Sequence, residues 1–302
     1  MSKFGITPVG SAHIRDIEKR LGERAGAPAV GKLVIRRCCD DDLPGLLELV
    51  RSVGWQLTSE ALASVMRFGE MWCLVSDGVI VGSAGWLPHG KNCAWIVMVV
   101  TRQEWRGCSI ATTLMLKVLE RTEQYPERML DASPFGEPVY RRLGFRECAK
   151  VHILAVGPSD VKTPKFAWRP MKVGDFPLPG VDERNPAHRY IFGNSPELCR
   201  VLERNGRIAG WFLGREKAPH THIGPIYAED EDIAIDAFHA ARAMLPESTL
   251  IFPVSPDERE LFATVAAAST KTLTIQTRMY FADHPVPPFP PHMRSSAGPD
   301  FG

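Results

Sequence analysis

Apolar positions fall in short runs along the chain, and the period of each run predicts its element. The segment AHIRDIEKRLGERAG, within residues 1–31, reads as a charged helix in a peripheral arm. From Leu33, LVIRR predicts a strand and LPGLLELVRSV a helix behind the cap Asp41 or Asp42; a second helix follows the cap Thr58 or Ser59. MWCLVS and VIVGSAGWL read as strands joined by Asp77-Gly78, a dipeptide suited to a two-residue hairpin turn. AWIVMVV is apolar throughout and predicts a central strand, after which Ile110, Leu114 and Val118 lay one buried stripe along a helix. RMLDAS, a helix carrying Tyr140, the stop signal Gly144 and the strand FRECAKVHILAV complete an α/β unit.

The stretch 157–167 is rich in proline, glycine and mixed charge, which is linker chemistry. Beyond it the pattern repeats. GVIVG at Gly78 is echoed by GRIAG at Gly206, Ile110-Ala111 by Ile233-Ala234, and Ser133-Pro134 by Ser255-Pro256. Three echoes in one order predict two copies of one fold, at 32–156 and 168–283. The residues from 284 to 302 are too proline-rich for helix or sheet and are expected to form an extended tail.

Composition narrows the class. The 36 basic and 35 acidic residues leave a net charge of +1, so no overall field favours nucleic acid or an anionic membrane. AWIVMVV, the longest apolar run, is far short of the ~20 residues of a membrane span. A soluble, cytoplasmic protein with no nucleic-acid or membrane partner is expected. The seven cysteines are scattered, and Cys38-Cys39 has neither zinc-ligand nor redox spacing, so free thiols and no metal are expected. His220 and His222 could share a strand face, but no third ligand is evident.

Arg106, Gly107, Cys108, Ser109, Ile110 and Ala111 lie between the central strand and the striped helix. A helix start offers unpaired N–H groups and the positive end of its dipole, which favour a phosphate oxygen. Arg106 adds charge, while Gly107 and Ala111 leave room for a ligand to approach the backbone. Cys108 is expected to be an inert thiol facing solvent or ligand.

The ordered set of the hairpin, VVTRQEWRGCSIATTLM and LDASPFGEPVYRRLGF resembles the GNAT superfamily of N-acetyltransferases over roughly Leu33 to Val156. The resemblance implies a mixed, mostly antiparallel α/β sheet flanked by helices, splayed between its fourth and fifth strands, with acetyl-CoA or another acyl-CoA in the cleft. It implies that Arg106 to Ala111 take the pyrophosphate, with Thr112 also among the cofactor-binding residues, and that Met98, Val99, Val100 and Thr101 pair with the pantetheine arm. An N–H of Val99 or Val100 would polarise the thioester carbonyl, with Val100 assigned that role, and Tyr140 would be the general acid. Ser109 replaces the first glycine of the family's pattern. With the right-handed angles expected at a helix opening, serine keeps its N–H and adds a hydroxyl. A left-handed backbone would instead add about 1 kcal/mol of strain and weaken cofactor binding.

The second copy resembles the C-terminal GNAT-like domain of tandem acetyltransferases, through GRIAGWFLGR, HIGPIYAED and TRMYF. It is expected to be degenerate, because Glu229, Asp230, Glu231 and Asp232 stand where the phosphate loop should be and Phe262 stands where Tyr140 has its counterpart. Trp55, His89, Asp131 and His222 are candidate substrate residues, with Asp131 and His89 also candidate bases. The expected reaction is direct attack by the amine of a small-molecule acceptor. The alternatives are a non-catalytic acyl-CoA-binding or regulatory protein and a purely structural module.

Overall fold

A computed structural model describes residues 8–24, 26, 28, 31–55, 57–158, 162–183 and 185–298; the rest of the predicted arm, linker and tail lies outside the described residues. The chain divides into two compact units, Met1–Met129 and Leu130–Gly302.

The first unit contains α1 (Ser11–Gly22), β1 (Leu33–Arg37), α2 (Leu43–Ser52), α3 (Ser59–Phe68), β2 (Glu70–Ser76), β3 (Val79–His89), β4 (Cys93–Thr101), α4 (Ile110–Arg121) and the start of β5 (Glu127–Ala132). Strands β1 to β4 form an antiparallel meander. Its hairpin turn places both Asp77 and Gly78 at positive φ, 45° and 83°, as a right-handed twist requires of a two-residue loop. Thr58 caps α3 by accepting from the Ala61 N–H at 3.2 Å, one of the two caps expected. Ile110, Leu114 and Val118 are buried on α4. Ile17 and Leu21, four residues apart, bury one face of α1, so the arm helix is docked.

β5 runs parallel to β4, but the pairing covers only Cys93–Trp95 against Glu127–Met129, while β4 continues to Thr101. This is the expected splay.

The second unit contains α5 (Glu137–Arg142), β6 (Arg146–Val156), β7 (Trp168–Pro170), α6 (Pro186–Asn194), β8 (Arg200–Arg204), β9 (Arg207–Lys217), β10 (His220–Ala228), α7 (Glu231–Met244), β11 (Leu250–Val254), α8 (Arg259–Ala268), β12 (Lys271–Phe281) and β13 (Met293–Ser295). Its strand order is β12-β6-β11-β13-β10-β9-β8-β7. β6 pairs with β11 and β12, so the boundary between compact units falls inside β5, upstream of the linker segment.

The sequence echoes share one geometry. Asn205 and Gly206 turn at φ 54° and 75°, like Asp77 and Gly78. A Cβ at Gly82 would lie 2.7 Å from Ile110 Cγ2, and one at Gly210 would lie 2.5 Å from Ile233 Cγ2. In each copy the glycine ending the echo therefore admits the isoleucine that seats the following helix.

The tail departs from expectation. Its closely spaced prolines run from Pro285 to Pro291, and Met293–Ser295 then pairs with β10 and β11 as β13. Met293 and Ser295 are both buried, so the strand is held by packing that composition does not reveal.

Candidate active site

β4 leads through a single 3₁₀ turn, Gln103–Trp105, into Arg106 and then Gly107 at φ 81°. Ser109 caps α4 at φ 62° and ψ 8°. This corrects the expected right-handed angles: the serine sits in the left-handed region at a strain of about 1 kcal/mol. Among the described residues, the N–H groups of Gly107 through Thr112 make no hydrogen bond to the protein; the first amide of α4 to be satisfied is Thr113, which donates to the Ser109 carbonyl at 2.9 Å. Six successive donors at a helix start suit the oxygens of a diphosphate. Arg106 is exposed, its Nε 3.4 Å from the Thr101 carbonyl. Cys108 is buried with its thiol on the Arg106 carbonyl, which corrects the expectation that it faces solvent or ligand.

β4 carries a bulge at the level of this turn. Between Val97 and Val100 it has one residue more than β3 has between Gly85 and Ser83, and Met98 absorbs the excess at φ 55°. The Ser83 hydroxyl donates to the Met98 carbonyl at 2.8 Å, on the β3 side. In a planar trans peptide the N–H opposes the C=O, so the Val99 N–H points to the edge of β4 away from β3. The Arg102 N–H donates to the Val81 carbonyl on β3. Because donors alternate along an extended strand, the Val100 N–H also faces β3. The outward amide is thus Val99 rather than the assigned Val100. Among the described residues no strand pairs with that edge beyond Trp95.

The second copy is built the opposite way. β10 pairs with β11 in parallel only at Thr221 and His222, and where the two diverge β13 lies between them. β10 ends at Ala228 and α7 begins at Glu231, leaving a connection of only two residues, and the Asp230 carboxylate accepts the Ile233 N–H at 2.8 Å. The chain's own backbone fills the splay and its own anion caps the helix. Phe262 stacks edge-on against His152 at 5.1 Å.

Tyr140 lies on α5 with its ring buried against Phe145, 6.0 Å between centroids. Its hydroxyl makes no hydrogen bond within the described residues, and burial raises its pKa, which keeps the phenol protonated. Asp131 is not available as a base: Arg278 Nε and Nη2 each donate to one of its oxygens at 2.8 Å, in an ion pair with both side chains buried. His89, at the end of β3, stacks on Trp95 at 5.2 Å. Trp55 is exposed just after α2, and His222 lies on β10 beside Gly298.

Cys38 has a neighbour that sequence spacing conceals. Cys38, Asp42 and Cys73 bring their ligand-type atoms within 4.8 Å of one another. Asp42, however, already accepts from Arg36 at 2.6 and 2.7 Å and from the Cys39 N–H at 2.9 Å, which lowers its pKa to about 2. The guanidinium supplies the cation that the carboxylate needs. Ser83 escaped sequence reasoning as well; its signal was a hydroxyl inside the otherwise apolar run VIVGSAGWL.

Two family models, each for an acetyltransferase (GNAT) domain, match residues 49–155 and 193–289. No curated protein matches the sequence. Among solved structures, a putative acetyltransferase from Pyrococcus horikoshii superposes with a TM-score of 0.71 at 16% identity, covering 92% of this chain and 99% of its own. A GCN5-related N-acetyltransferase from Sphaerobacter thermophilus gives 0.55 at 15% identity, over 85% and 98% of the two chains. A tandem GNAT protein from the clavulanic acid biosynthesis pathway gives 0.59 at 14% identity, over 84% and 100%. The chain belongs to the GNAT acetyltransferases and carries two such domains in tandem. Among the described residues, no helix is long and apolar enough to cross a membrane.

Proposed function

We propose that the protein is an acetyl-CoA-dependent N-acetyltransferase that acylates the amine of a small-molecule acceptor by direct attack, and that its first copy alone binds the cofactor. The observation that carries this reading is the run of unpaired amides from Gly107 to Thr112, which follows the β4 bulge. Arg106 adds a fixed positive charge to those donors, and the backbone of Met98 to Thr101 offers an edge for the pantetheine arm. Bound acetyl-CoA supplies the thioester. The Val99 N–H is aimed outward, so it can donate to the thioester oxygen as negative charge develops there. Tyr140, in the role the family resemblance gives it, donates its phenolic proton to the departing sulfur. With Asp131 held by Arg278, the amine loses its proton to water or to His89.

Calorimetry with acetyl-CoA on the wild type and on Arg106→Glu tests the site. Heat from the first and about ten-fold weaker binding by the second is expected, since the change reverses a charge beside phosphate. Equal binding by both would remove the turn from the site. Binding without thiol release across a broad amine panel would instead make the protein a non-catalytic acyl-CoA binder.

A further inference from the structure

The N-terminal helix reaches the phosphate turn from behind. Arg24, just past the end of α1, donates from Nη1 to the Glu104 carbonyl at 3.0 Å and to the Arg106 carbonyl at 2.6 Å. Its own backbone is tied to α1 through an N–H bond to the Leu21 carbonyl, and Leu21 is buried. Two turns earlier, the Asp16 carboxylate is paired with Arg20, Nε to Oδ2 2.7 Å, and the Ser109 side chain helps to hold its pKa below the usual carboxylate value. The arm therefore holds the turn through two of its backbone carbonyls.

The Arg106–Gly107 bond is the weak point of that turn. Glycine tolerates both signs of φ, so this peptide plane can flip at little steric cost, and a flip would turn its N–H away from the other five donors. The bond is trans, which sets the Gly107 N–H opposite the Arg106 carbonyl. Holding that carbonyl from outside fixes where the amide points.

We propose that Arg24 is a positioning residue for cofactor binding: by bridging the Glu104 and Arg106 carbonyls it locks the Arg106–Gly107 peptide with its N–H in the phosphate-binding set. The inference rests on the proposed acyl-CoA site. It gives the arm a function that its sequence does not disclose, and it assigns Arg24 no contact with the ligand.

The test uses the full chain as wild type, Arg24→Ala and Arg24→Lys, with coenzyme A and dephospho-coenzyme A as calorimetric probes and [¹⁵N]glycine labelling to follow the Gly107 amide. Arg24→Ala is expected to weaken both ligands alike, by about ten-fold, and to shift or broaden the Gly107 resonance in the ligand-free protein while the melting temperature holds. Arg24→Lys, whose ammonium can bridge the same two carbonyls, is expected to recover both. A Gly107 resonance unmoved by Arg24→Ala would overturn the proposal. So would a loss confined to coenzyme A, because Arg24 would then be touching the 3′-phosphate directly. Failure of the wild type to bind either ligand would refute the site itself, a result distinct from both.

Discussion

The Ser83 hydroxyl holds the Met98 carbonyl across a buried 2.8 Å hydrogen bond, and by doing so it sets the direction of the Val99 amide on the other side of the same peptide. Ser83→Ala leaves that carbonyl unpaired and frees the bulge to relax. The expected result is a fall in kcat of about ten-fold with KM for acetyl-CoA changed less than two-fold, together with a loss of about 1–3 kcal/mol in stability. Steady-state kinetics beside urea denaturation reads both. A fall in stability with kcat intact would separate Ser83 from the reaction.

Tyr140 is expected to act only while protonated. Tyr140→Phe should lower kcat by at least about ten-fold and leave calorimetric affinity for acetyl-CoA unchanged. Burial raises the phenol's pKa, so activity that depends on its proton is lost only as pH rises above the usual tyrosine range. The kcat profile should therefore show no alkaline fall below about pH 10. A wild-type rate in Tyr140→Phe would exclude the tyrosine as acid.

Ser109 holds a left-handed conformation at the mouth of α4. Ser109→Gly relieves about 1 kcal/mol of strain but adds a similar backbone entropy to the unfolded chain, so stability should change by less than about 0.5 kcal/mol. The turn keeps its N–H and gains conformational ease, and coenzyme A should bind as tightly as before or up to several-fold tighter. Weaker binding would show that the hydroxyl matters more than the strain.

His188 gives the fold an acid sensitivity. It is buried edge-on to Trp211 at 5.6 Å, and desolvation lowers its pKa to about 4. The unfolded chain takes up a proton near pH 6.5 while the native chain does not, so stability falls as pH drops from about 6.5 toward 4. The wild type should lose about 2–3 kcal/mol from this group between pH 7 and 4.5, and His188→Phe should lose correspondingly less. Unfolding midpoints at the two pH values decide it; parallel losses in both proteins would discharge His188.

Much of the architecture is legible in the residues because it depends on local periodicity. The hairpin at Asp77-Gly78, the capped helix after Thr58, the apolar central strand and the Ile110-Leu114-Val118 stripe all follow from short-range pattern. The paired echoes did too, since the glycine at 82 or 210 and the isoleucine at 110 or 233 are one packing contact made twice. The strand-to-helix turn proposed to take phosphate is singled out by Arg106, Gly107 and a helix start alone.

What sequence could not decide depends on which distant groups meet. The sign of φ at Ser109, the bulge at Met98 and the choice of Val99 over Val100 arise from how β4 registers against β3, and register is a property of two strands. Asp131 is withdrawn from chemistry by Arg278, 147 residues away. The tail becomes a strand because the divergence of β10 and β11 leaves donors and acceptors for Met293–Ser295 to satisfy. The sequence alone determines those helices and strands that carry a local period; only packing decides which backbone groups remain for a ligand, because a donor is free or spent according to its neighbours in space.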